Sequence, residues 1–273
     1  MTSRLCARSL TLSYDGRPVV SGLDFEVPDG QVTAIIGPNG CGKSTLLRAL
    51  GRVMAPAEGD VLLDGVSLRG IPTRQVAQQI ALLPQSPEAP AGLTVAELVA
   101  RGRHPHQRWY EQFARADESV VRESMAATGV DHLADMPIDE LSGGQRQRAW
   151  LSMSLAQQTE IVLLDEPTTY LDLAHQVEVL ELVRDLNRHH GRTVLMVLHD
   201  ISLAARYASQ MVAMKDGAIV ASGTPDEVVT AELLADVFGL HAAIVREPVQ
   251  GRPHVMPLGL AGQLTPDRGP GEV

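Results

Sequence analysis

The chain has 273 residues, a length that suits one large domain, or a domain with an insert, and allows a sizeable core. Its formal net charge of −10, from 23 Lys and Arg against 33 Asp and Glu, argues against a general nucleic-acid binder, but net charge says nothing about a local basic pocket and leaves a polyphosphate ligand open. Its longest purely apolar run, Val194–Leu198, is far short of the about 20 residues a membrane-spanning helix needs.

Met1 to Leu5 lacks the apolar stretch of a secretory signal. Leu5–Tyr14 and Val19–Val27 alternate partly around the turn Asp15-Gly16, which predicts a pair of strands. After the turn Pro28-Asp29-Gly30, Val32–Ile36 reads as a short strand buried on both faces. A helical pattern covers Ser44–Val53. Further apolar runs at Ile80–Leu83, Ile161–Leu164 and Val194–Leu198, with a helical pattern at His175–His189, predict a parallel α/β sheet with right-handed crossovers.

From about residue 86 to 158 the alternation stops. Helical patterns at Val95–Arg103 and Glu118–Thr128, entered through Pro84, Pro87 and Pro90, predict a helical subdomain inserted into the α/β core. Beyond Ala221 come short helical patterns around Glu227 and at Glu232–Phe238. Ile244-Val245 and Val255-Met256 are then expected to pair as a hairpin around Gln250-Gly251. The main domain is expected over 1–259, and 260–273, with its Gly, Pro and charge, as a disordered tail.

Between the strand Val32–Ile36 and the next helix lies Gly37-Pro38-Asn39-Gly40-Cys41-Gly42-Lys43-Ser44-Thr45, which fits the P-loop pattern G-x-x-x-x-G-K-[ST] in its confirming context. The glycines let backbone N–H groups converge on phosphate oxygens, and the helix N-terminus adds positive dipole. Lys43 can reach the β- and γ-phosphates and Ser44 can ligate Mg²⁺. The apolar strand Ile161–Leu164 ends in Asp165 and Glu166, where parallel sheets bind ligands; Asp165 is placed to hold Mg²⁺ and Glu166 to contact attacking water. Gln85 and His199 also follow strands, so they reach the same sheet edge. Leu141-Ser142-Gly143-Gly144-Gln145 opens a helical pattern whose glycines expose N–H groups to an anion. Taken alone, that last segment reads equally well as a helix cap with flexible glycines.

With only Cys6 and Cys41, a reducing cytoplasm is the natural compartment. Cys41 sits inside the P-loop, where N–H groups and Lys43 favour a reactive thiolate that nucleotide would shield. The alternative is a small apolar side chain turned into the core.

The P-loop, Gln85, the segment Leu141–Gln145, the strand end Leu163-Leu164-Asp165-Glu166-Pro167, the triplet Tyr170-Leu171-Asp172 and His199 resemble, in order and spacing, the ATP-binding subunit of an ABC transporter over roughly residues 5–245. The resemblance implies an α/β fold, with a P-loop NTPase core, an N-terminal antiparallel β-subdomain and an inserted α-helical subdomain. It further implies that Tyr14 stacks on adenine and that Gln85 contacts Mg²⁺ and senses a permease. Ser142, Gly143, Gly144 and Gln145 would bind the γ-phosphate of ATP held by a second copy, and Asp172 would lie at the subunit interface. Glu166 would polarise water; Lys43 and His199 would stabilise the transferring phosphoryl group. The run Glu166–Gln176, the segment Arg101-Gly102-Arg103-His104-Pro105-His106-Gln107 and the ending Val237–Leu240 are similar to the subfamily that powers import of ferric siderophores, haem and cobalamin. His104 and His106 read as a surface or partner contact rather than as metal ligands.

That resemblance implies a bacterial iron-chelate importer's ATPase, using ATP and Mg²⁺ on the cytoplasmic face of the membrane. Its partners would be a head-to-tail second copy, a permease and, indirectly, an extracytoplasmic binding protein, with no nucleic acid. The rivals are a soluble ABC ATPase acting on DNA or ribosomes, disfavoured by the single P-loop and the absence of sustained heptads, and a scaffold with broken motifs, of which there are none. Other cargoes and export remain open, since the motor does not face the cargo.

Overall fold

Alternation along β1 (Leu5–Tyr14) and β2 (Arg17–Val27) sends Leu10, Leu12, Val20 and Phe25 inward, and the two strands pair antiparallel in the computed structural model. The structure describes residues 3–85, 87–107, 115–169 and 171–261. Tyr170 and most of the expected tail therefore lie outside the described residues. β4 (Glu58–Leu63) pairs with the other edge of β1 and with the short β5 (Val66–Ser67), giving a four-stranded antiparallel sheet in the order β2-β1-β4-β5.

The main sheet is built around β3 (Val32–Ile36), β6 (Ile80–Leu83), β7 (Ile161–Asp165) and β8 (Thr193–Val197), with β9 (Gln210–Lys215) and β10 (Ala218–Gly223) at one side. Its order is β10-β9-β3-β8-β7-β6, parallel throughout except for the β9–β10 hairpin. Every residue of β3, β7 and β8 is buried, as strands covered on both faces require. The two faces serve different cores. Val32, Ala34 and Ile36 face the core shared with the helical insert, while Ile35 joins Leu12, Val20 and Leu47 beneath the antiparallel sheet.

Helix α1 (Lys43–Leu50) follows β3, and the short α2 (Thr73–Ala77) precedes β6. The insert comprises α3 (Val95–Ala100), a 3₁₀ turn at Arg101–Arg103, α4 (Arg115–Ala127) and α5 (Gly143–Ala156). Helix α6 (Leu173–His190) ends at Gly191 in a left-handed C-cap, and α7 (Ile201–Tyr207) leads to β9. After α8 (Pro225–Val228) and α9 (Ala231–Phe238), β11 (Leu240–Arg246) and β12 (Pro253–Leu260) form the expected hairpin, with Ile244 opposite Val255.

Two strand pairs, β4–β5 and β9–β10, and the helices α2 and α7 were not among the predicted elements. The apolar run of β9, Met211–Met214, is built from Met, Val and Ala, and a short run of that kind does not distinguish strand from helix.

Candidate functional site

Strand β3 delivers the chain to Gly37, where the loop to α1 begins. A Cβ on Gly37 would lie 2.3 Å from the Met214 carbonyl oxygen of β9, so only glycine lets this loop leave the sheet here. Lys43, the first residue of α1, is buried and turns its Nζ back along the loop. It donates to the carbonyls of Gly37 (2.9 Å) and Pro38 (2.8 Å). Its neighbour Ser44 donates through Oγ to Oδ1 of Asp165 at 2.7 Å. Asp165 is fully buried at the end of β7. Its Oδ2 has no hydrogen-bond partner, and burial pushes its carboxyl pKa up.

Glu166 is the next residue and has a left-handed backbone, φ 54°, which costs a non-glycine residue about 1–2 kcal/mol. That turn aims the carboxylate across the sheet edge. Oε1 meets His199 Nε2 at 2.7 Å, and Oε2 accepts from Gln85 Nε2 at 2.6 Å and from Thr169 Oγ1 at 3.1 Å. Gln85, Glu166 and His199 thus arrive from three different strand ends. Together with Asn39, Gly40 and Gly42 of the loop, and Lys43, Ser44 and Thr45 of α1, they line a cavity of about 290 Å³.

The other predicted residues lie outside that cavity lining. Tyr14 is exposed at the end of β1, its hydroxyl 3.4 Å from Arg48 Nη1 of α1. Ser142 and Gly143 are exposed at the start of α5. Ser142 is the N-cap of a capping box: its Oγ accepts from Gln145 N (3.3 Å), and Gln145 Oε1 accepts from Ser142 N (3.0 Å). Asp172 caps α6, accepting from the backbone N of His175 at 2.9 Å, with the His175 ring Nδ1 at 2.7 Å.

The structure decides between the two readings of Cys41 in favour of the small apolar side chain turned into the core. Cys41 does not present a reactive thiolate to the loop's interior. It is buried in the apolar core beneath the antiparallel sheet, and burial pushes its thiol pKa up despite Lys43 Nζ at 3.9 Å. The apolar surroundings on that side outweigh the single nearby cation.

Two contributors escaped the sequence reading. Thr169 holds Glu166 from the turn after β7. The turn Asp216-Gly217 between β9 and β10 braces the P-loop from behind: Gly217 N donates to the Cys41 carbonyl at 3.1 Å, and a Cβ on Gly217 would lie 2.2 Å from the Val19 carbonyl oxygen. Asp-Gly marks a hairpin turn, which was the available signal.

The model of the ABC transporter family matches residues 20–169. The chain belongs to the ABC transporter family. It is 53% identical over 263 residues to the ferric enterobactin transport ATP-binding protein FepC of Escherichia coli (strain K12), covering 96% of this chain and 97% of that one. To the petrobactin import ATP-binding protein FpuD of Bacillus anthracis it is 50% identical, covering 95% of each. Among solved structures it is similar to a metal-chelate type ABC transporter in an inward-facing conformation (TM-score 0.81, 28% identity, 95% of this chain and 98% of that one). It is also similar to the dimeric ATP-binding cassette MJ0796 in a post-hydrolysis state with ADP and Pi (TM-score 0.73, 25% identity, 81% and 98%). The expected fold of this ABC ATPase is therefore borne out, with its antiparallel subdomain and helical insert. The chain is an ATP-binding, ATP-hydrolysing subunit of that family. Among the described residues, no helix is long and apolar enough to cross a membrane.

Proposed function

We propose that this subunit couples ATP hydrolysis to uptake of an iron chelate, a ferric siderophore, through a bacterial ABC importer. The observation that carries the motor half of the reading is the convergence of Gln85, Thr169 and His199 on the Glu166 carboxylate at the mouth of the P-loop cavity. The cargo half rests on relatives named for ferric enterobactin and petrobactin that align over nearly the whole chain.

In this reading the loop 37–42 and the N-terminus of α1 cradle the phosphates, Lys43 contacts the β- and γ-oxygens, and Tyr14 stacks on adenine. Glu166 accepts the proton of attacking water, and its strained backbone holds it ready for that role. His199 stabilises charge on the transferring phosphoryl group. Mg²⁺ fits the residues present, because Asp165 Oδ2 is unpartnered beside the Oδ1 that accepts from Ser44, and Ser44 and Gln85 both line the cavity. Those three residues would hold the ion, which offsets phosphate charge when bound. Ser142–Gln145 do not line their own subunit's cavity, which fits their completing the site of a second copy by two-fold symmetry, with Asp172 at the shared boundary. The subunit would sit peripherally on the cytoplasmic face of a permease served by an extracytoplasmic binding protein.

Two experiments test these halves. Mixing Ser142→Arg with Lys43→Ala subunits gives heterodimers with one intact composite site, the P-loop of the first variant facing Ser142–Gln145 of the second, so activity should rise above that of either variant alone; activity no higher than either contradicts the head-to-tail reading. Deleting the gene should abolish growth on a ferric siderophore as sole iron source; unimpaired growth on each siderophore tried contradicts the cargo.

A further inference from the structure

Helix α5 carries Ser142-Gly143-Gly144-Gln145 at its N-terminal end, and its other end is held in an unusual way. The last carbonyls of a helix have no partner within it and mark the negative end of its dipole. Here two basic side chains from the segment after α3 meet them. Arg103 Nη1 donates to the Ala156 carbonyl at 2.8 Å, and His106 Nε2 lies 2.8 Å from the Gln157 carbonyl. Arg103 is itself buried. Its Nε donates to Asp117 Oδ1 of α4 at 2.8 Å, and Nη1 also reaches Gln158 Oε1 at 2.9 Å.

The same segment is fastened to the sheet side of the molecule. The Pro105 carbonyl accepts from Arg74 Nε (2.8 Å) and Gln78 Nε2 (2.7 Å), at and just past α2, and Gln157 Nε2 donates to the Ala77 and Ile80 carbonyls. Gly102 lies so close beneath α5 that a Cβ there would be 2.3 Å from the Met153 carbonyl oxygen. Arg101–Gln107 therefore joins α3, α4, α5 and the β6 edge of the core at one point. The His106 ring is partly buried and also meets the end of α5 within its own chain.

We infer that Arg103 and His106 are positioning residues for ATP hydrolysis: they anchor the C-terminal end of α5 to the core, and so aim the Ser142–Gln145 end at nucleotide bound by the opposing subunit. The inference rests on the proposed role of Ser142–Gln145. Fourteen residues make α5 about 21 Å long, so a tilt of about 5° at the anchored end moves the Ser142 end by about 2 Å. A misplacement of about 1 Å at a reacting centre can cost up to about a hundredfold in rate. The subunit's own P-loop lies on the core side of the joint, between β3 and α1.

The test uses the full-length subunit and two readouts: turnover at saturating Mg-ATP, and affinity for a fluorescent ATP analogue at the subunit's own P-loop. Arg103→Met should lower turnover by about tenfold or more with affinity within about twofold of wild type. Arg103→Lys should recover part of the loss, and the milder His106→Ala should lower turnover by a few-fold. Turnover at the wild-type level in folded Arg103→Met and His106→Ala overturns the inference, as does affinity falling in step with turnover. If Arg103→Met fails to fold, His106→Ala and Arg103→Lys decide by the same criteria. Ser142→Arg is the separating control. Wild-type turnover by that variant removes the proposed role of Ser142–Gln145, whereas loss there with no effect of the Arg103 and His106 variants removes only the anchor.

Discussion

The carboxylate of Glu166 and the ring of His199 meet at 2.7 Å, across the gap between the ends of two neighbouring strands. The acid's side chain is 8% exposed and the imidazole 47%, so one partner is fixed and the other faces the cavity. Gln85 and Thr169 hold the carboxylate's second oxygen, and that division of labour makes the two residues separable by mutation.

Replacing His199 with Ala leaves Glu166 tied to Gln85 and Thr169. Turnover should fall by about a hundredfold through lost electrostatic stabilisation, while nucleotide affinity changes little. Steady-state kinetics alongside equilibrium binding checks this; equal losses in both would instead place His199 in ground-state binding.

Asp165 gives a pH-dependent signature. Its carboxyl pKa is raised in the folded protein by burial. For an acid this means the folded state holds the proton more tightly, so the group's contribution to stability is greatest at low pH. That contribution declines as pH rises from the unfolded value, about 3.9, through the raised folded value. Asp165→Asn removes the burial cost of the charge. The nucleotide-free variant should melt above wild type at pH 7, a difference that shrinks as pH falls toward the unfolded value. It should also lose Mg²⁺-dependent nucleotide binding. Thermal melts across pH test the first part and titrations with and without Mg²⁺ the second.

Gly217 and Gly65 separate a contact from a backbone preference. Both have φ near +80°, but a Cβ on Gly65 meets nothing within 4 Å, whereas on Gly217 it strikes the Val19 carbonyl. Both Ala variants carry the φ penalty of about 1 kcal/mol. Only Gly217→Ala should also displace the brace on the Cys41 carbonyl and weaken ATP binding, by about tenfold. Binding isotherms for the two variants, compared at matched stability, check this.

Cys41 should resist maleimide in the native protein, with and without Mg-ATP, and react only on unfolding, because its thiol is buried and its pKa raised. Peptide mapping after timed labelling reads this directly.

The residues lining the cavity were legible in the sequence because each is tied to a strand end: the P-loop follows β3, Gln85 follows β6, Glu166 follows β7 and His199 follows β8. Sheet topology then brings them to one edge without further information. Thr169 and Gly217 were not legible, since their roles depend on which neighbour the fold sets opposite them. The direction of the Cys41 side chain was open for the same reason, and its burial in the apolar core beneath the antiparallel sheet settles it. Likewise Arg103 and His106 stood out as a motif, but their partners, the end carbonyls of α5, lie some fifty residues along the chain.

Glu166→Gln tests the central claim most directly. The amide keeps the side chain's size and one acceptor oxygen but cannot take a proton from water. Measured by single-turnover hydrolysis and by size-exclusion chromatography with ATP, the variant should bind ATP normally, hydrolyse it at least about a hundredfold more slowly, and elute as an ATP-stabilised dimer. Hydrolysis at the wild-type rate, with no dimer accumulating, would contradict the account.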